Sequence, residues 1–177
     1  MQTSFTNGQL EQPGIRAAND ILRACVHCGF CTATCPTYVL TGDERDGPRG
    51  RIYLIKDMLE NDTAPAAAVT HIDRCLSCLG CMTTCPSGVD YMHLIDHARG
   101  HIKENFRRPL AERLTRRLIA VILPHRGRFR LALRLGRLAR PFMILLPGKL
   151  KTMVALLPTE NGGIPARAAT GKDYPAS

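Results

Sequence analysis

Apolar residues recur along this chain at helical rather than strand spacing. Ile52, Ile55 and Leu59 fall at i, i+3 and i+7, which predicts a helix over 51–61 with one buried face. The preceding run DERDGPRG, residues 43–50, reads as a turn. A second short helix is expected over 66–73. In the stretch 90–106, Tyr91, Ile95, Ala98, Ile102 and Phe106 share one face, with His93, His97 and His101 displaced towards the other. Three histidines so spaced suggest a metal comb, although a polar face opposite a core stripe is more simply a solvated one. Pro109 suits the first turn of a further helix whose stripe is Leu110, Leu114, Leu118 and Val121 or Ile122. After a break at 124–127, residues 128–142 fit another, with Leu131, Leu135, Leu138 and Phe142 flanked by Arg130, Arg134 and Arg137. Gly, Pro and Ala dominate the end, so 158–177 is expected to be a disordered tail. The fold class expected is mainly α.

With 177 residues the chain suits one globular unit or two very small ones, which excludes a large multidomain enzyme. Its apolar stretches are interrupted by Pro or Arg before reaching the roughly 18 residues a membrane span needs. The first twenty residues show no secretory pattern, so the expected location is the cytoplasm. Charge is unevenly placed. Residues 1–98 carry 7 basic and 11 acidic side chains, whereas residues 99–151 carry 15 and 2. That basic stretch contains only three aromatic residues, Phe106, Phe129 and Phe142, and no nucleic-acid-binding signature, so no nucleic-acid partner is expected. Arg clusters beside apolar stripes instead fit a partner protein or the anionic inner face of the cell membrane as a peripheral contact.

All 8 cysteines lie in the acidic part, in a repeat of period 50. Residues 24–36, ACVHCGFCTATCP, align with residues 74–86, RCLSCLGCMTTCP. Each copy is C-x2-C-x2-C-x3-C-P, the spacing of bacterial-type [4Fe-4S] loops. Three thiolates within seven residues must curl around one compact object, and Gly29 and Gly80 are expected to let backbone amides approach it. The fourth Cys of each copy ligates the other cluster in two-cluster ferredoxins. The expected ligand sets are therefore Cys25, Cys28, Cys31 and Cys85 for one [4Fe-4S] cluster, and Cys75, Cys78, Cys81 and Cys35 for the other. Structural zinc also uses thiolate quartets, but it requires neither the third Cys at the next x2 interval nor the closing Cys-Pro. Thioredoxin-like dithiol chemistry lacks its strand–helix setting here. There is no dinucleotide fingerprint, P-loop or Ser-His-Asp set, so no catalytic residues are assigned. Two adjacent clusters point to electron transfer for a partner chain.

The runs ILRACVHCGFCTATCPTYVLTGDERDGPRGRIYLIKDML, residues 21–59, and DRCLSCLGCMTTCPSGVDY, residues 73–91, resemble the iron–sulfur subunit of bacterial glycolate oxidase (glycolate dehydrogenase). The resemblance covers roughly residues 15–157, and the DGPRGRIYLIK segment is more specific than the cysteine spacing. It implies an α-helical ferredoxin-type module, of the kind also found in succinate dehydrogenase and heterodisulfide reductase, at residues 21–106. An N-terminal segment (1–20) precedes it, and an Arg-rich amphipathic helical arm (107–157) and the tail follow. It further implies FAD-containing partner subunits that oxidise glycolate to glyoxylate, with this subunit passing electrons towards a quinone or other acceptor. Family members continue into two cysteine-rich CCG domains, while no Cys follows Cys85, so a separate CCG-domain chain or a truncated product is expected. The alternatives are a subunit serving lactate, glycerol-3-phosphate or heterodisulfide chemistry, and a non-redox binding module stapled by its clusters. The Gly47, Pro48, Arg49, Gly50, Arg51 turn is a candidate docking or potential-tuning element, or simply the start of the next helix.

Overall fold

In a computed structural model the described residues are 1–138, 140–142 and 148–157. The chain divides into two units, residues 1–107 and 108–177. Among the described residues every regular element is helical.

The first unit opens with α1 (Asn7–Glu11), which Thr6 caps by accepting from the Gln9 amide, and α2 (Pro13–Ala24). Pro13 at the first turn of α2 carries no amide to leave unpaired. Ile15, Ala18 and Leu22 form its buried stripe. That i, i+3, i+7 stripe crosses residue 20, so the segment 1–20 is part of the cluster-bearing unit rather than separate from it. Next come α3 (Phe30–Ala33), α4 (Pro36–Thr41), a 3-10 turn (Glu44–Asp46) and α5 (Pro48–Glu60). Then follow α6 (Ala66–Asp73), α7 (Gly80–Thr83) and α8 (Tyr91–Asn105). The cysteine loops are thus not wholly irregular, because each contains a one-turn helix, α3 or α7.

The core is where α2, α5, α6 and α8 meet. It comprises Ile52, Ile55, Met58 and Leu59 of α5, Ala68, Val69 and Ile72 of α6, and Leu94, Ile95, Ala98 and Ile102 of α8, packed on the α2 stripe. Each fully buried Leu or Ile contributes about 1.5–3 kcal/mol of transfer free energy. The Asp90 side chain caps α8 by accepting from the His93 amide at 3.3 Å. Leu94, absent from the expected stripe, is fully buried beside Ile95.

In the second unit, α9 (Leu110–Ile122) and α10 (Arg126–Leu138) contain no buried residue. Leu110, Leu114, Leu118 and Val121 stand exposed along α9. Arg108 and Arg116 both pair with Glu112 at 2.8 and 2.9 Å. α10 (Arg126–Leu138) is shorter than expected, and Phe142 falls in a separate 3-10 turn (Arg140–Phe142), where Pro141 has no amide to donate to an α-helical ladder. α11 (Gly148–Ala155) follows. The expected tail at 158–177 lies outside the described residues. No described helix is long and apolar enough to cross a membrane.

Candidate metal centre

The two cysteine loops take the same backbone path. His27 and Gly29 in the first have φ +56° and +85°, and their repeat equivalents Ser77 and Leu79 have +52° and +58°. Two left-handed residues per loop turn successive amides to one side, and at non-glycine positions this conformation costs on the order of 1–3 kcal/mol each. The equivalent of Gly29 is therefore Leu79. Gly80 is the first residue of α7, and its carbonyl accepts from the Thr83 and Thr84 hydroxyls at 3.0 and 3.1 Å.

The folded loops form two thiol-lined hollows. Cys25, Cys28, Cys31 and Cys85 line the first, with Cys81 at its edge. Cys35, Cys75, Cys78 and Cys81 line the second. The sequence-expected quartets are thus brought together, three sulfurs from one loop and one from the other, and either quartet could hold a cofactor. Pro48, Cys81 and Tyr91 are walls of both hollows. Cys28 and Cys78 are the exposed member of each set, while Cys25 and Cys35 are buried.

The spacing of the donors tests what object they suit. A tetrahedral zinc site, with Zn–S of about 2.3 Å, holds its sulfurs about 3.8 Å apart. Among the described residues, the one set of three His, Cys, Asp or Glu donor atoms lying within 4.8 Å of one another is Asp43, Asp46 and His71, not any set of thiols. Among the described residues the thiols are therefore not drawn together as a single tetrahedral ion would hold them, which leaves the quartets to a larger thiolate-bound group such as the cubane that the cysteine spacing predicts.

Burial and like charge act on these thiols as they would on ligands awaiting a metal. Cys81 is pushed up to about 12, first by burial and then by the neighbouring Cys31, Cys75 and Cys78. Burial and Cys25 raise Cys31 as well. Cys35 differs. Burial pushes it up, but hydrogen bonds from Thr37 and from the Tyr38 and Thr37 amides, with the Arg51 charge, bring it below the ordinary thiol value. Binding of a cation removes the proton from each.

Arg51, in the turn that the sequence marked as a candidate tuning element, lines the second hollow and rests on charged and polar partners that the sequence did not mark. Arg51 is buried, its Nε donating to the His71 carbonyl at 2.8 Å and its Nη2 to Thr37 Oγ1 at 3.0 Å. Asp46, also buried, accepts from His71 Nδ1 at 2.8 Å and from Arg74 Nη1 at 2.9 Å. Burial pushes the Asp46 carboxyl up, yet these two bonds hold it below the usual carboxylate range. Since both its oxygens are already engaged, one by His71 Nδ1 and one by Arg74 Nη1, the Asp43, Asp46, His71 group does not suit a metal. Arg49 lines the first hollow and pairs with Glu44 at 2.9 Å. The DGPRGR run therefore does start a helix, and it also sets one arginine beside each hollow. The histidine row of α8 is not assembled: His93 pairs with Asp90 at 2.6 Å, His97 lies against Gly14, and His101 reaches the Thr63 carbonyl at 3.3 Å.

Comparison with known proteins agrees with this geometry. The 4Fe-4S dicluster domain family matches residues 24–90. The "Glycolate oxidase iron-sulfur subunit" of Escherichia coli (strain K12) is 50% identical over 143 residues, which are 81% of this chain and 35% of that protein. The "Probable glycolate oxidase iron-sulfur subunit" of Bacillus subtilis (strain 168) is 37% identical over 148 residues, 76% of this chain and 33% of that one. The "Succinate dehydrogenase iron-sulfur subunit" of Coxiella burnetii (strain RSA 493 / Nine Mile phase I) is 28% identical over 89 residues, 46% of this chain and 38% of its own length. No solved structure gives a significant match. The chain spans about a third of the length of the two glycolate oxidase relatives. Residues 24–90 thus match the 4Fe-4S dicluster domain family, whose cofactors are two [4Fe-4S] clusters, in a chain similar to glycolate oxidase iron–sulfur subunits.

Proposed function

We propose that this chain passes electrons within a glycolate oxidase complex, from FAD-containing subunits that oxidise glycolate to glyoxylate towards a quinone or another acceptor. The observation that carries this reading is the common wall between the hollows: Pro48, Cys81 and Tyr91 line both, so the two thiol quartets are immediate neighbours. Cys25, Cys28, Cys31 and Cys85 would hold one cluster, and Cys75, Cys78, Cys81 and Cys35 the other. When bound, a [4Fe-4S] cluster supplies one-electron transfer. The protein's part is positional. α2 delivers Cys25 at its C-terminal end, α5 sets Pro48 between the sites, and α8 presents Tyr91 from its first turn. Cys28 and Cys78 face outward, where a partner's redox centre has the shortest approach.

The place of work under this reading is the cytoplasm, with the basic arm at the anionic inner face of the membrane, where its exposed leucine stripe and arginines complement lipid. The test uses the intact complex in cell extracts. Cys28→Ser is expected to abolish glycolate-dependent dye or quinone reduction while the flavin subunits are still made. Undiminished glycolate oxidation alongside loss of lactate or glycerol-3-phosphate oxidation would move the chain to a related complex. No change in any of these activities would leave a cluster-stapled binding module.

A further inference from the structure

We propose that Arg51 is a positioning residue that raises the reduction potential of the cluster held by Cys35, Cys75, Cys78 and Cys81 and so makes the two clusters inequivalent. This rests on the cluster reading above. The observation is an imbalance of charge in a buried place. The Arg51 side chain is 1% exposed, and its guanidinium has one carboxylate nearby, Asp46, at 3.8 Å. That carboxylate is already engaged by His71 and Arg74 at 2.8 and 2.9 Å. A buried guanidinium sharing its anion with two other cationic or donor groups lacks a full counter-charge of its own. Another of its N–H groups points to the cluster site: Arg51 Nη1 donates to Cys35 Sγ at 3.8 Å, and Thr37 Oγ1 lies 3.1 Å from the same sulfur.

The equivalent ligand in the other hollow has no such neighbour. Cys85, fifty residues on, accepts from the neutral Val89 amide at 3.5 Å. Arg49, beside that first hollow, is about a third exposed and tied to Glu44, so solvent and a carboxylate offset its charge. A fixed positive charge and hydrogen bonds to cluster sulfurs both favour the reduced, more negative state. The Arg51 guanidinium cannot swing away, since the His71 carbonyl and Thr37 Oγ1 hold the fork from two sides. The asymmetry would draw electrons from the Cys28 side of the molecule to the Cys78 side.

The experiment is a potentiometric titration of the anaerobically reconstituted full chain, with iron content measured on each sample. In Arg51→Gln, one potential is expected to shift downward, the other to hold, and the iron content to stay at the wild-type value. Arg51→Lys, which keeps the charge, should recover part of the shift. If removing Arg51 costs iron loading, Thr37→Val serves in its place, and a smaller downward shift of one potential is expected. Unchanged potentials in an iron-replete Arg51→Gln or Thr37→Val protein, or equal shifts of both, would overturn the proposal. Absence of bound iron in the wild-type chain would instead sink the cluster reading on which it stands.

Discussion

Tyr91 Oη donates to Cys75 Sγ across 3.8 Å, from a ring that is a wall of both thiol hollows. Burial, then the charge of Cys75, pushes this phenol well above its ordinary value, so it remains a donor wherever the protein works. Tyr91→Phe preserves the ring and is expected to leave iron content unchanged, lower one cluster potential, and cost about 1 kcal/mol of stability. The sign of the pH effect follows from the raised value. A proton held more tightly in the folded state stabilises it fully below the unfolded phenol value, near pH 10, and that contribution is lost as pH rises through the folded one. The Phe variant should show a shallower alkaline loss in thermal melts. Identical alkaline slopes would rule this out.

The two fourth ligands reach across to the opposite loop's hollow. Cys85→Ser should therefore disturb the site of Cys25, Cys28 and Cys31, with bound iron dropping to about half the wild-type content, because each [4Fe-4S] site holds four irons. Cys35→Ser should mirror it at the other site. Iron analysis with low-temperature spectroscopy of the two variants checks this, and damage confined to each mutated loop's own site would exclude the crossing.

Asp46 anchors Arg51, Arg74 and His71 from one buried position. Its carboxyl is held below its unfolded value, so it stabilises the fold above about pH 4 and that contribution is lost as pH falls through the lower folded value. Asp46→Asn should cost about 3–5 kcal/mol near neutral pH, because it strands Arg51 in the interior. The penalty should shrink in acid. Denaturant unfolding at several pH values measures both, and a penalty independent of pH would contradict the assignment.

Gly50 packs against the 3-10 turn so closely that a methyl group would overlap the Glu44 carbonyl oxygen and come within 2.9 Å of Arg45 Cα. Backbone cannot swing aside as a side chain can, so Gly50→Ala should cost about 3 kcal/mol. It should also displace Arg49 and Arg51 together. Reduced melting temperature accompanied by loss of iron is the expected pair of results. By contrast Gly14→Ala meets only the tip of the His97 ring, and a near-normal melting temperature is expected there.

What could be read from the sequence was what local periodicity and spacing encode. Ala66–Asp73 and Leu110–Ile122 lie where their apolar patterns put them, since Pro65 and Pro109 mark their starts. The cysteine repeat likewise announced two sites. Asp46, His71 and Arg74 were a different matter. Scattered over 29 residues, they look like ordinary surface charge, and nothing local says that the turn at Asp46 and the end of α6 will close over one another. The repeat of period 50 puts Leu79 opposite Gly29, but only the backbone shows that this leucine takes up the same left-handed conformation. The one audible hint was the run of Gly, Pro and Arg at 47–51, where a helix start needed no second glycine.

The exchange of Cys35 and Cys85 between the hollows has a bearing on how this molecule would fail. Each loop supplies one wall of the other's site. Oxidative loss of iron at one centre would therefore strip a thiol on the loop that still holds the other, so the first trace of damage at either centre would be a free sulfur at Cys35 or Cys85, on the loop opposite the one that lost its three.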